Sequence, residues 1–103
     1  MSAPGDEPDL AEGAVAEGTF EIVNELGLHA RAAAKLVRAA TRFDAEIEIE
    51  KDGQRADAKS IMGVLLLCGE KGARVTLRAR GHDADEAVRV LGQLVTDRFG
   101  EER

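Results

Sequence analysis

The stretch "LGLHARAAAKLV", residues 26–37, carries two side chains suited to handling phosphate, His29 and Arg31 two positions on. An imidazole near neutral pH keeps an unprotonated nitrogen that can attack phosphorus, and a guanidinium grips phosphate oxygens through paired N–H donors. His29 stands where an amphipathic helix is expected to begin, although histidine is a middling helix former and not a favoured N-cap. The first amides of a helix lack intrahelical acceptors and lie at the positive end of its dipole, so an anion is stabilised there. His29 is thus placed to hold a phosphoryl group against free amides, with Arg31 as a supporting cation. A surface histidine with no role at all is the competing reading. The chain lacks a P-loop, a catalytic carboxylate pair and a Ser-His-Asp arrangement, so phosphate handled here is carried, not generated from a bound nucleotide.

Other residues define a surface around that histidine. Ser60 is a good N-cap for the apolar run "IMGVLLL", and a helix this apolar on several sides cannot bury every residue in a small domain. Leu28, Ile61, Met62 and Leu65 are expected to form a partner-binding patch beside His29. Arg31, Lys35, Arg38 and Arg42 make a basic stripe along the first helix. The domain is nearly neutral and has no Tyr or Trp for base stacking, so an acidic protein face suits that stripe better than nucleic acid. Cys68 is the single cysteine, so an internal disulfide is excluded, no metal site is expected, and the thiol reads as buried and structural. His82 reads as a loop residue without a nearby ligand set.

Periodicity supplies the elements that must position these groups. Residues 19–25, 45–50 and 73–80 alternate as strands, and "KDG" at 51–53 is a hairpin turn into a short strand at 54–57. Residues 30–43 are helical, with Ala33, Leu36, Val37, Ala40 and Phe43 on one face. A helix of about two turns follows Ser60 and stops at Gly69. A last helix begins with Asp83 as cap and Glu86 completing a capping box, buries Ala87, Leu91, Leu94 and Val95, and ends at Gly100. The order β-α-β-β-α-β-α, with one polar face per strand, predicts an α+β open-faced β-sandwich: a four-stranded antiparallel sheet with three helices on one face.

The 103 residues allow one small core, built from aliphatics because aromatics are only 3%. Residues 1–18 hold five of the 20 acidic residues and none of the 14 basic ones, and read as a disordered acidic extension before a domain at 19–103. No window approaches the roughly 20 apolar residues of a membrane span, and the N-terminus lacks the pattern of a secretory signal. The expectation is a soluble cytoplasmic protein.

"GLHARAAAKLV", then "KSIMGVLLL" about 30 residues later, then the alternating strand and capped last helix, resemble the histidine-containing phosphocarrier protein HPr of the bacterial phosphoenolpyruvate-dependent phosphotransferase system. The resemblance spans residues 19 to about 99 and implies the same open-faced sandwich. It also implies that His29 accepts a phosphoryl group at Nδ1 from phospho-enzyme I and passes it to an enzyme II A component, with Arg31 supporting the phosphohistidine. Ser60 matches the family's regulatory serine, which in some bacteria is phosphorylated by an HPr kinase. Such a protein needs no cofactor, turns nothing over by itself, and is expected to be a monomer because it visits two partners in turn. Ala32 departs from the family, which usually has Pro there; alanine keeps the helix but adds an amide N–H and releases φ. A regulatory paralogue of the nitrogen-related branch, and a binding module that never carries phosphate, remain as alternatives.

Overall fold

The computed structural model describes residues 14–103. Strand β1 covers Val15–Glu21, helix α1 Ala30–Ala40, β2 Glu46–Lys51, β3 Gln54–Asp57, α2 Ile61–Leu66, β4 Arg74–Arg80 and α3 Ala84–Thr96. A single 3₁₀ turn, Arg98–Gly100, follows. The strands form one antiparallel sheet in the order β1-β4-β2-β3, with the helices covering one face, as the alternation predicts.

The first strand starts earlier than expected. Most of the acidic extension, residues 1–13, lies outside the described residues, but Val15–Gly18 is strand and not tail, paired from Val15 opposite Arg80 to Gly18 opposite Leu77. Alanine and glycine at alternate positions carry little strand propensity, so the period-2 signal there is faint in sequence and the pairing comes from β4.

Inward residues Ile47 and Ile49 of β2 and Val75, Leu77 and Ala79 of β4 meet Leu36 of α1, Val64 of α2 and Leu91 and Val95 of α3 in an aliphatic core. Small residues let the helices come close to the sheet. A Cβ added to Gly92 of α3 would lie 2.2 Å from the Phe20 ring of β1, so only glycine fits beneath that aromatic. Ala32, at the position where the resemblance has proline, is fully buried in the first turn of α1.

Two expectations about the last helix are corrected. Asp83 occupies the N-cap position of α3 but makes no side-chain cap bond. Its two carboxylate oxygens instead accept from the backbone amides of Asp44 and Ala45, each at 2.9 Å, which ties the loop before β2 to the start of α3. Glu86 pairs with Arg89 at 2.5 Å rather than closing a capping box. Nor does Gly100 stop the helix: α3 ends at Thr96, and Arg98 and Phe99 take positive φ values of 61° and 54°, turning the chain back and burying Phe99 completely. Left-handed conformations are unfavourable for residues with a Cβ, and burial of the Phe99 ring offsets that cost.

On the uncovered face of the sheet, Arg78 bonds Glu17 at 2.8 Å and Glu50 at 2.5 Å, joining β1, β4 and β2 by charge. Among the described residues no helix is long and apolar enough to cross a membrane.

Candidate functional site

The segment before α1 is held by a turn that only glycine permits. Gly27 has φ +64°, and a Cβ there would fall 2.3 Å from the Gly69 carbonyl oxygen. Next to it the Leu28 amide donates to the same oxygen at 2.7 Å, pinning the entry of α1 to the exit of α2. Leu28 is consequently 5% exposed and lies under the site, which corrects its expected place on the partner-binding surface. The alternation of a tightly bonded turn, and not hydrophobicity, decides which leucine is outside: Leu26 is 71% exposed.

His29 is the N-cap of α1, with extended φ and ψ of −71° and 176°. Its carbonyl accepts the first intrahelical bond, from the Ala33 amide at 2.8 Å, and its ring Nδ1 accepts from the Arg31 amide at 3.3 Å. The imidazole thus does for the helix what a Ser or Asp oxygen usually does. A ring nitrogen that accepts carries no proton, so the neutral ring has its hydrogen on Nε2 and its lone pair on Nδ1, facing the amides of the first turn. Nε2 is bonded to Oε2 of Glu101, 72 positions later in the chain.

Glu101 reaches the histidine because the chain end is anchored. Lys35 of α1 donates to the Phe99 carbonyl at 2.7 Å, and the Asn24 side-chain amide donates to Glu101 Oε1 and to the Gly27 carbonyl, each at 2.9 Å. Asn24 is fully buried, and its Oδ1 has no hydrogen-bond partner among the described residues. Burial raises the Glu101 carboxyl, but hydrogen bonds from Asn24 and His29 and the neighbouring charges of His29 and Lys35 outweigh it, so the group is held below the ordinary carboxylate value. Neither Glu101 nor Asn24 was signalled by local sequence pattern.

Arg31 is exposed at the second helical position and makes no ion pair among the described residues, so its guanidinium is available to an incoming anion. Ser60 caps α2 as expected, its hydroxyl accepting from the Gly63 amide at 3.1 Å. That cap sets the phase of a six-residue helix: Val64 points into the core, Ile61 and Met62 are 41% and 63% exposed, and Leu65 is partly buried against the core. Leu66, four residues on from Met62, is 70% exposed. The expected burial of Cys68 is also corrected. It follows the last turn of α2 with φ 54°, and this left-handed step turns its thiol out to solvent. Away from this site, Asp44, His82 and Asp83 bring ligand-type atoms within 4.8 Å of one another. The Asp83 oxygens there are already engaged by backbone amides, and the trio serves as a loop clasp.

A ring nitrogen with a lone pair, the amides of a helix N-terminus and an exposed guanidinium compose a site suited to a covalently held phosphoryl group. Comparison with known proteins points the same way. The family model described as "PTS HPr component phosphorylation site" matches residues 16–97. A phosphocarrier protein HPr of Cupriavidus necator is 48% identical over 80 residues, covering 78% of this chain and 90% of that protein. A phosphocarrier protein NPr of Shewanella violacea is 46% identical over 85 residues, covering 82% and 93%. The crystal structure of an HPr from Thermoanaerobacter tengcongensis superposes with a TM-score of 0.82 at 45% identity, covering 85% of this chain and 99% of that one. An HPr dimer from the same organism superposes with a TM-score of 0.68, at 45% identity and covering 84% and 99%. The chain belongs to the HPr family of phosphocarrier proteins of the phosphotransferase system.

Proposed function

We propose that this protein carries a phosphoryl group on His29 Nδ1, taking it from phospho-enzyme I and delivering it to an enzyme II A component. The observation that carries this reading is the state of the ring: Nδ1 accepts from the Arg31 amide, so the nitrogen facing the helix N-terminus is the one with a lone pair. On phosphorylation, that amide and its neighbours pass to the phosphate oxygens, and the exposed Arg31 supplies a countercharge. The amide of Ala32 adds a donor that proline would not have. Ile61 and Met62, with Leu26 and Leu66, form the apolar rim on which both partners dock. The carrier has no turnover of its own, works in the cytoplasm, and is a monomer when it exchanges partners.

Incubating the protein with enzyme I, magnesium and phosphoenolpyruvate and measuring intact mass tests this reading. One acid-labile phosphate is expected on the wild type and none on His29→Ala; a wild type that stays unmodified beside a labelled control carrier overturns it.

Similar identity to an NPr, 46% against 48% to an HPr, supports a second reading with the same chemistry and different partners, in which the output is control of other proteins in the nitrogen-related branch. Phosphorylation by the enzyme I of one branch and not the other separates the two. Ser60 belongs to the proposal as a site for an HPr kinase: a phosphate there would take over the cap bond to Gly63 and set negative charge beside the apolar rim, weakening docking.

A further inference from the structure

The contact between His29 and Glu101 joins the candidate nucleophile to the chain end, and nothing in local folding requires it. Glu101 lies beyond the last helix and is brought back by two consecutive left-handed residues, a fully buried Phe99 and the Lys35 bond to the Phe99 carbonyl. Its second oxygen is held by the buried Asn24 amide. The carboxylate is thereby fixed on two sides before any partner arrives. Its own exposure is low, 15% for the side chain against 27% for His29, so solvent screens the pair only in part.

We infer that Glu101 is a positioning residue for phosphoryl transfer: it holds the His29 Nε2–H, keeps the lone pair on Nδ1, and counters the positive charge the ring acquires when Nδ1 bonds phosphorus. The inference rests on the phosphocarrier reading and deepens it. As the Nδ1–P bond forms, the bond from phosphorus to its donor atom breaks and that electron pair leaves with the donor. The ring has then given electron density to phosphorus while keeping its Nε2 proton, so positive charge builds beside the carboxylate. A fixed anion placed where charge develops stabilises the transition state without reorganising. The same anion keeps the ring plane fixed when the Arg31 amide leaves Nδ1 for the phosphate. On the return step, the proton is still on Nε2, and the ring leaves as the neutral tautomer from which it began.

The test uses the full chain as wild type, Glu101→Gln, Glu101→Ala and Glu102→Gln, each checked for folding by circular dichroism. Nitrogen-15 and proton NMR of the His29 ring reads the contact without any partner; transfer from phospho-enzyme I at saturating and subsaturating concentrations reads its effect. A hydrogen-bonded Nε2 proton signal in the wild type that is lost in Glu101→Ala, with a saturated transfer rate about tenfold lower in Glu101→Gln and KM little changed, is the expected result. Glu102→Gln, altered at an exposed neighbour, should match the wild type in both measurements. Ring signals that are the same in Glu101→Ala and wild type, or a folded Glu101→Gln that transfers at the wild-type rate, overturn the inference and leave His29 as carrier intact. A wild type that accepts no phosphate removes both, and is recognised because the variants then have no rate to compare.

Discussion

His29 and His82 occupy the same kind of place, the turn before a helix, and are treated differently. The ring of His29 is bonded at both nitrogens, to the Arg31 amide and to Glu101, whereas His82 makes one exposed bond, Nε2 to Asp44 at 2.9 Å. The hydrogen bond that the His82 ring donates to Asp44 and the nearby charge of Asp83 outweigh desolvation and raise the His82 pKa above 6.5. A folded-state value above the unfolded one stabilises the fold at pH below 6.5, and that contribution is lost as pH rises through the raised value. Thermal unfolding of wild type and His82→Gln should therefore differ most at pH 6 and below, and converge in alkaline buffer. The effect is small because both partners are exposed. Glu101 runs the other way. Its lowered pKa gives stability that is present above 4.5 and fades as pH falls through the folded value, and Glu101→Gln should flatten the acid limb of the stability curve. Residue types made His29, Arg31 and Ser60 legible, since a helix start announces itself over a few positions. Glu101 and Asn24 were not, because a bond between residues 72 or 77 positions apart leaves no local period.

At the scale of elements, the turn into α1 is the least replaceable part of the site. Gly27→Ala must combine an unfavourable positive φ with a Cβ 2.3 Å from a backbone oxygen that cannot rotate away. A loss of about 2–3 kcal/mol in chemical denaturation is expected, together with slower phosphoryl acceptance because His29 shifts with the turn. Strand and helix positions were largely readable: the alternation of β2 and β4 and the capping serine of α2 each fix an element from within. The capping box expected for α3 shows where this fails. Asp83 has the residue type of a cap, but two amides from the loop before β2 compete for its oxygens and win. The onset of β1 fails for the related reason that Ala16 and Gly18 become strand only through β4.

For the whole molecule, the helix-covered face supplies the core and the open face carries charge. Arg78 lies between Glu17, Glu48 and Glu50, and the hydrogen bonds of Glu50 and Glu17 hold its guanidinium more firmly protonated than usual. With its side chain 35% exposed, this cluster is screened by salt. Arg78→Ala should lower the melting temperature modestly, and the gap to wild type should narrow as sodium chloride rises from about 0.1 M to about 1 M. The architecture was legible because each strand has one polar face, whereas the order β1-β4-β2-β3 is a property of pairing and not of any strand alone.

That order bears on how the chain is made. β1 lies at the sheet edge and bonds only to β4, whose first residue is Arg74, so a growing chain exposes its first strand until more than half of the sequence has left the ribosome. The histidine waits longer still, since its ring is held by Glu101, 72 positions further along the chain. Synthesis therefore passes through an interval in which His29 exists but the contact that holds its ring does not.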